Sequence, residues 1–269
     1  MRRKLIIGLC ILVVLLAGIG IYLRNGFYGN CVPERRSLYV RSGSEYRTLE
    51  DSLDAAIAHT AFFRFYARHI ELDRSFKPGH YVLEPGMNVV QVARMLKLGL
   101  QTPVRVTINN VRTPAQLAGK LARQIEADSA TIVGALTDPA TARKAGFDSV
   151  TLFSMFIPDT YEFYWTVSPA QFIERMRREY DRFWTPQRDA KRQRSGLSRL
   201  EVMTLASIVY EETRQSDEMP RIAGVYINRL RKGWPLQADP TVKYALQEFG
   251  LRRILHRHLK YPSPYNTYI

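Results

Sequence analysis

The most regular hydrophobic pattern stands at the start of the chain. Leu5 to Leu23 (LIIGLCILVVLLAGIGIYL) contains no charge, no Asn or Gln and no Pro. At about 1.5 Å per residue such a run covers about 28 Å, close to the roughly 30 Å hydrocarbon thickness of a bilayer. A cleaved signal peptide would have a shorter apolar region, about 7–15 residues, and small residues at the cut. The pattern therefore predicts one uncleaved transmembrane helix, with residues 1–24 as the anchor. The alternative, a buried core helix, fits poorly because such helices rarely lack every polar residue. Residues 25–36 (NGFYGNCVPERR), with Gly, Asn and Pro, read as a tether.

Beyond the tether, SLYVRS (37–42) alternates and predicts a strand. The stretch from Thr48, TLEDSLDAAIAHTAFFRFYARHIEL, places Leu49, Leu53, Ala56, Ile57 and Phe63 at helical spacing. HYVLEPG (80–86) predicts a short strand ending in a turn, and NVVQVARMLKLG (88–99) an amphipathic helix stopped by glycine. VRVTI (104–108) is a further strand, and Thr113 caps a helix through PAQLAGKLARQIEA with Pro114 in its first position. The remainder is mostly helical: 169–184, Leu200 to Thr213, a helix opened by Pro220 and another opened by Pro240. The order predicts an α+β protein, with a smaller module over residues 37–100 and a mostly helical domain over 101–269.

Charge narrows the partners. Lys and Arg number 39 against 25 Asp and Glu, a formal net charge of +14. Arg2, Arg3 and Lys4 with the terminal amine crowd one end of the apolar helix, while Arg24 alone touches the other. The positive-inside rule then places the N-terminus in the cytoplasm and the rest of the chain outside. Basic runs at 175–194 and 252–260 would suit anionic cell-wall polymer or lipid headgroups, although a solvated helix face is the better explanation for most single arginines. No nucleic-acid motif occurs, and the expected location leaves no nucleic acid as partner. Two cysteines exclude a disulfide scaffold and a zinc ribbon, and Cys10 and Cys31 stand too far apart to pair.

Candidate chemistry concentrates in LASIVYEETRQSDEMPRIAGVYINRL (205–230). At 100° per residue, Glu212 lies about 20° from Leu205 and about 40° from Ile208, so it projects with the apolar stripe. A carboxyl in partly apolar surroundings is biased toward its protonated form, as a general acid for glycosidic cleavage requires. The plainer alternative is a helix end reaching water or an arginine. Glu211 lines up with Thr204 and Ser207 instead, and neighbouring side chains diverge by about 100°, so the two glutamates cannot act on one bond. PLQADPT (235–241) offers Gln237 and Asp239, the latter also a plausible N-cap before Pro240; SPYNTYI (263–269) offers Tyr265 and Asn266 for hydrogen-bonding and stacking on sugars. His256 and His258 are too few and too divergent for a metal site, and no metal or organic cofactor is expected.

These segments resemble the YceG-like family of endolytic murein transglycosylases, from about Phe76 to the end. FKPGHYVLEPGMNVVQVARMLKLG resembles the family's LysM-like module, and FIPDTYEFYW (156–165) its aromatic Pro-Asp-Thr segment. LASIVYEET, INRL, LQADPTV and SPYNTY follow in family order. The resemblance implies a membrane-anchored lytic transglycosylase that cleaves the MurNAc–GlcNAc bond of peptidoglycan and leaves a 1,6-anhydroMurNAc end, terminating strand growth. It maps the catalytic glutamate onto Glu212, with Gln237, Asp239, Tyr265 and Asn266 as substrate contacts, and implies peptidoglycan synthases and membrane lipid as further partners. The chain would sit in the inner membrane with its catalytic domain in the periplasm. Relatives often carry a glutamate where this chain has Tyr210, which favours a single acid. They also continue past the Tyr-Asn-Thr-Tyr motif, so the catalytic domain is expected to be truncated at Ile269. A non-catalytic peptidoglycan-binding or scaffolding protein is the alternative function.

Overall fold

The apolar run forms a helix, α1 (Arg2–Tyr28), in the computed structural model, which describes residues 2–269. Met1 with its terminal amine, and the side chains of Arg2, Lys4 and Leu5, lie outside the described residues, and with them most of the charge contrast that predicts orientation. Ile6–Tyr28 is long and apolar enough to cross a membrane, and its most apolar window is wholly unburied. The remaining elements follow as β1 (Arg36–Val40), α2 (Tyr46–Asp54), α3 (Thr60–His69), α4 (Leu72–Ser75), β2 (Gly79–Leu83), α5 (Val89–Leu98) and β3 (Val104–Ile108). Next come α6 (Pro114–Leu121), α7 (Ser129–Thr137), α8 (Pro139–Lys144), a 3-10 turn (Leu152–Met155) and β4 (Asp159–Phe163). The chain closes with α9 (Pro169–Phe183), α10 (Pro186–Ser195), α11 (Arg199–Glu212), α12 (Met219–Arg231), α13 (Asp239–Leu246) and α14 (His256–Leu259). Helix dominates, with two small sheets.

Two compact units emerge. One is Met1–Thr107 with Gly119–Ser129 and Thr160–Ser168; the other is Ile108–Ala118, Ala130–Asp159 and Pro169–Ile269. In the first, β1 and β2 pair antiparallel with Leu38 opposite Tyr81. Their inner side chains join Leu49, Leu53, Phe63, Leu72, Val92 and Leu96 in one core. The α5 helix starts at a capping box, the Asn88 side chain receiving Gln91 N–H while Gln91 reaches back to Asn88 N–H, and ends at left-handed Gly99.

Three sequence expectations change. The periodic stretch from Thr48 is not one helix: it breaks over residues 55–59, where Ala56 and Ile57 are buried and His59 is left-handed. Ala58 N–H donates to the Cys31 carbonyl at 2.6 Å, so a backbone donor that would extend the helix is spent on another segment. The segment 25–36 is no loose tether. It carries the last turn of α1, and Cys31 and Val32 are fully buried, with Cys31 N–H donating to Met87 at 2.8 Å. The helix from Pro114 stops at Leu121, short of Ala127.

A strand the pattern missed is β4, which pairs with β3. Tyr161 and Phe163 point inward, and the Thr107 and Thr160 hydroxyls meet at 2.9 Å. In the second unit α11 starts at a Ser198–Glu201 capping box, and Thr185 caps α10. Leu205, Ile208, Val209, Tyr226 and Ala238 form a small core that joins α11 to α12 and the turn before α13.

Burial also pushes the Cys31 thiol up to about 11, so little of it is thiolate near neutrality. In a Cys10→Ala protein, a thiolate-directed reagent near pH 8 should leave Cys31 unmodified until denaturant is added. Rapid modification of the folded protein would show that residues 25–36 are a loose tether after all.

Candidate active site

Glu212 is the last residue of α11. Its direction follows the helical arithmetic, because it lies on the side of Leu205, Ile208 and Val209 and meets Tyr226 of α12. The Tyr226 hydroxyl donates to Glu212 Oε1 at 2.7 Å. Tyr226 itself is buried in the small core between the two helices. Its ring is thus fixed by packing, and its hydroxyl is the part that reaches the carboxylate. Oε2 of Glu212 has no hydrogen-bond partner among the described residues.

The environment departs from expectation. Glu212 is exposed, not sunk in an apolar pocket. The reason is its place at the terminus: α11 ends there, and Thr213 turns extended and carries the chain away. Thr213 is buried and organises that turn, its hydroxyl donating to Glu218 at 2.6 Å and accepting Gln215 N–H at 3.0 Å. Sequence reasoning passed over Thr213; its position directly after the glutamate was the available signal.

Glu211 is engaged elsewhere. Arg112 holds it in a two-pronged ion pair, Nε to Oε1 at 3.0 Å and Nη2 to Oε2 at 2.8 Å, while the guanidinium rests over the Phe249 ring. Both acceptor oxygens are occupied, so Glu211 is a structural charge and not a partner of Glu212.

The two later motifs come together through Thr267. Its hydroxyl lies 2.9 Å from that of Thr241 and accepts Ala238 N–H at 3.0 Å, while its carbonyl accepts Gln237 N–H at 3.0 Å. That stitch sets Tyr268 against the start of α13, where its hydroxyl donates to Asp239 Oδ1 at 2.6 Å. The expected N-cap role of Asp239 is corrected here: it is the first helical residue, and no side-chain cap bond forms. Asn266 is buried, with Nδ2 donating to the carbonyls of Leu259 and Tyr261 at 2.9 Å each and Oδ1 accepting Tyr268 N–H at 3.1 Å, so its amide builds the loop. Gln237 is exposed and left-handed (φ 50°), and Tyr265 is exposed with its ring edge-on to Tyr244 at 4.9 Å.

Electrostatics join the two tyrosine–carboxylate pairs. Burial raises the Tyr226 phenol first, and the hydrogen bond and charge of Glu212 add to it; Arg229 opposes. Tyr268 is pushed up to about 12 by burial, then by its bond to Asp239 and the charges of Asp239 and Glu212, again against Arg229. Both phenols therefore remain donors across the physiological range. Among the described residues no group of three or more His, Cys, Asp and Glu gathers in a metal-holding arrangement. A depression of about 570 Å³ in the same unit, lined by Arg177, Asp189, Arg192 and Arg199 among others, contains none of the candidate site residues. The arginines around it are largely paired, as Arg177 with Asp181 and Arg192 and Arg199 with Asp189, which is the solvated-face reading of that basic run.

Residues 38–269 match the YceG-like family, and the chain belongs to it. The segments LASIVYEET, LQADPTV and SPYNTY all lie within the matched residues. Among its relatives it is similar to a protein of Bacillus subtilis (strain 168) named endolytic murein transglycosylase, 25% identical over an alignment of 249 residues, with 86% of this chain and 69% of the relative covered. A Streptococcus pneumoniae protein of the same name is 23% identical and matched over 85% of this chain, which spans 47% of it. A crystal structure of a yceG-like protein of Listeria monocytogenes superposes with a TM-score of 0.56 at 26% identity, over 87% of this chain and 83% of that one.

The Tyr268 bond has a spectroscopic consequence. An ordinary phenol ionises near pH 10, so the folded state favours the hydroxyl form: the stability it lends is complete below about pH 10 and lost as pH rises toward 12. Replacing Tyr268 with Phe should remove one late-ionising tyrosine from an ultraviolet titration. Loss of a tyrosine that ionises near pH 10 would mean that the Asp239 bond is not formed.

Proposed function

We propose that this chain is a membrane-anchored endolytic lytic transglycosylase of peptidoglycan in which Glu212 serves as both acid and base. Family membership and the shared name of the relatives support the substrate class. The observation that carries the role is the hydrogen bond from buried Tyr226 to Oε1 of exposed Glu212, which fixes the carboxyl and leaves Oε2 for a ligand.

Glu212 protonates the oxygen linking N-acetylmuramic acid to N-acetylglucosamine, and that bond breaks. The resulting carboxylate then takes the proton of the muramic C6 hydroxyl as that oxygen closes onto C1. The product carries a 1,6-anhydro end. Because the nucleophile belongs to the substrate, one acid/base group suffices, unlike the two-carboxylate hydrolases. An open site, where no enclosed cavity must be entered, suits a polymer cut within its length. Gln237, Asp239 and Tyr265 supply contacts around the bond, with Tyr268 orienting Asp239.

In this reading α1 anchors the chain with its N-terminus in the cytoplasm and the catalytic domain in the periplasm. Residues 37–100 act as a LysM-like module for peptidoglycan, which their separate core supports. Cleavage terminates growing strands beside the synthases.

Incubation of the full chain with glycan strands should yield anhydro ends by mass. Glu212→Gln should lower turnover on the order of 10²–10⁴-fold, and Tyr226→Phe, which removes one bond to a charged group, by roughly tenfold. Full activity of Glu212→Gln would remove it from the chemistry, reducing ends alone would make the protein a hydrolase, and strand binding without any product would favour a scaffolding role.

A further inference from the structure

We propose that the outer face of α3, together with the last turns of α1, is a lipid-binding surface that sits in the headgroup region of the bilayer. The inference rests on α1 spanning the membrane.

A bilayer core about 30 Å thick takes up about 20 helical residues. Counted from Ile6, that length is used up near Asn25, yet α1 continues to Tyr28. Tyr22 and Phe27 therefore fall at the water boundary. Both are already in contact with α3: the Tyr22 and Phe62 rings are 5.3 Å apart, Phe27 and Phe62 5.0 Å, Phe27 and Phe65 5.9 Å, and Phe27 and Tyr66 6.5 Å. Gly26 is buried beneath the Phe62 ring, and a side chain there would collide with it. Where α1 leaves the hydrocarbon, α3 is beside it.

No hinge relaxes this placement. Only Gly29 and Asn30 separate the end of α1 from fully buried Cys31, and Gly29 N–H still donates to Asn25 at 2.9 Å. The Asn30 side chain accepts from Val32 N–H at 3.0 Å and Gly86 N–H at 3.1 Å. Insertion of α1 thus sets the position of α3 as well.

The chemistry of α3 fits a lipid boundary. Phe63 and Ala67 face the core, as one side of a surface helix should, while the other side sets aromatic residues among exposed Arg64, Arg68 and His69. Phe62, Phe65 and Tyr66 form an aromatic stripe at i, i+3, i+4, and Phe65 is 68% exposed; Tyr22 and Tyr28 are each 66% exposed. Tyrosine is enriched at this depth in membrane proteins, and phenylalanine lines the apolar face of helices that lie in the interface. Residues 55–70 contain no acid, nor does any residue before Glu34, while Arg24 and Arg68 are exposed without an ion pair among the described residues. Asp54 and Glu50 lie against Arg64, which pairs with them, so the aromatic surface keeps spare guanidiniums at Arg24 and Arg68 that complement anionic headgroups.

The full chain reconstituted in vesicles of phosphatidylethanolamine and phosphatidylglycerol tests this, with lipids brominated at shallow or deep acyl positions as quenchers. Phe65→Trp adds an indole at an exposed aromatic site, Tyr28→Trp is a second reporter, and Val14→Trp reports on the span itself. Added emission from Phe65→Trp and Tyr28→Trp should be blue-shifted and lost mainly to the shallow quencher, that of Val14→Trp mainly to the deep one. Quenching of Val14→Trp with none at Phe65→Trp would overturn the lipid surface and leave the span intact. No quenching at any of the three would overturn the span, and the surface with it.

Discussion

The hydrogen bond from Tyr226 to Glu212 decides what this fold can do. A glutamate at a helix end has three rotatable bonds and water around it, so it would ordinarily sample many positions. Here a phenol buried among Leu205, Ile208 and Val209 holds one carboxyl oxygen at 2.7 Å. The apolar packing of α11 on α12 is therefore converted, through one rigid ring, into the placement of an acid. The Arg112 pair on Glu211 occupies both oxygens of the neighbouring carboxylate, leaving Glu212 as the carboxyl held by Tyr226.

The site is assembled from positions 212, 226, 239 and 268, and each join has its own physical cause. The apolar faces of two helices bring 212 to 226. The hydroxyl of Thr267, shared with Thr241 and Ala238 N–H, brings the terminal segment onto the turn before α13. Asn266 then spends its whole side chain closing the loop from Leu259 to Tyr268. A residue so committed serves the loop, whereas Gln237, Asp239 and Tyr265 stay exposed beside it.

Local signals that carry their own mechanism were readable along the chain. Gly99, Thr113 and the prolines that open helices marked boundaries within a residue or two, because such signals act over three or four residues, whereas the Asn88–Gln91 and Ser198–Glu201 boxes emerged only in the structure. What depended on a distant partner was not legible. The break at 55–59 needs the Cys31 carbonyl, β4 needs β3, and the firmness of residues 25–36 needs Met87, Ala58 and Phe62. For the site, the helical wheel gave the direction of Glu212 correctly but not its exposure, since periodicity describes a continuing helix and α11 stops at that residue. The role of Asn266 was hidden for a related reason: the amide that suits a sugar suits backbone carbonyls equally.

The most direct test of the central claim is a crystal structure of the Glu212→Gln protein with a bound glycan fragment. The account predicts the glycosidic oxygen of a muramic residue within hydrogen-bond distance of the amide nitrogen at 212, with the Tyr226 hydroxyl still donating to the amide oxygen. A well-ordered glycan bound elsewhere, with residue 212 left in solvent, would contradict it.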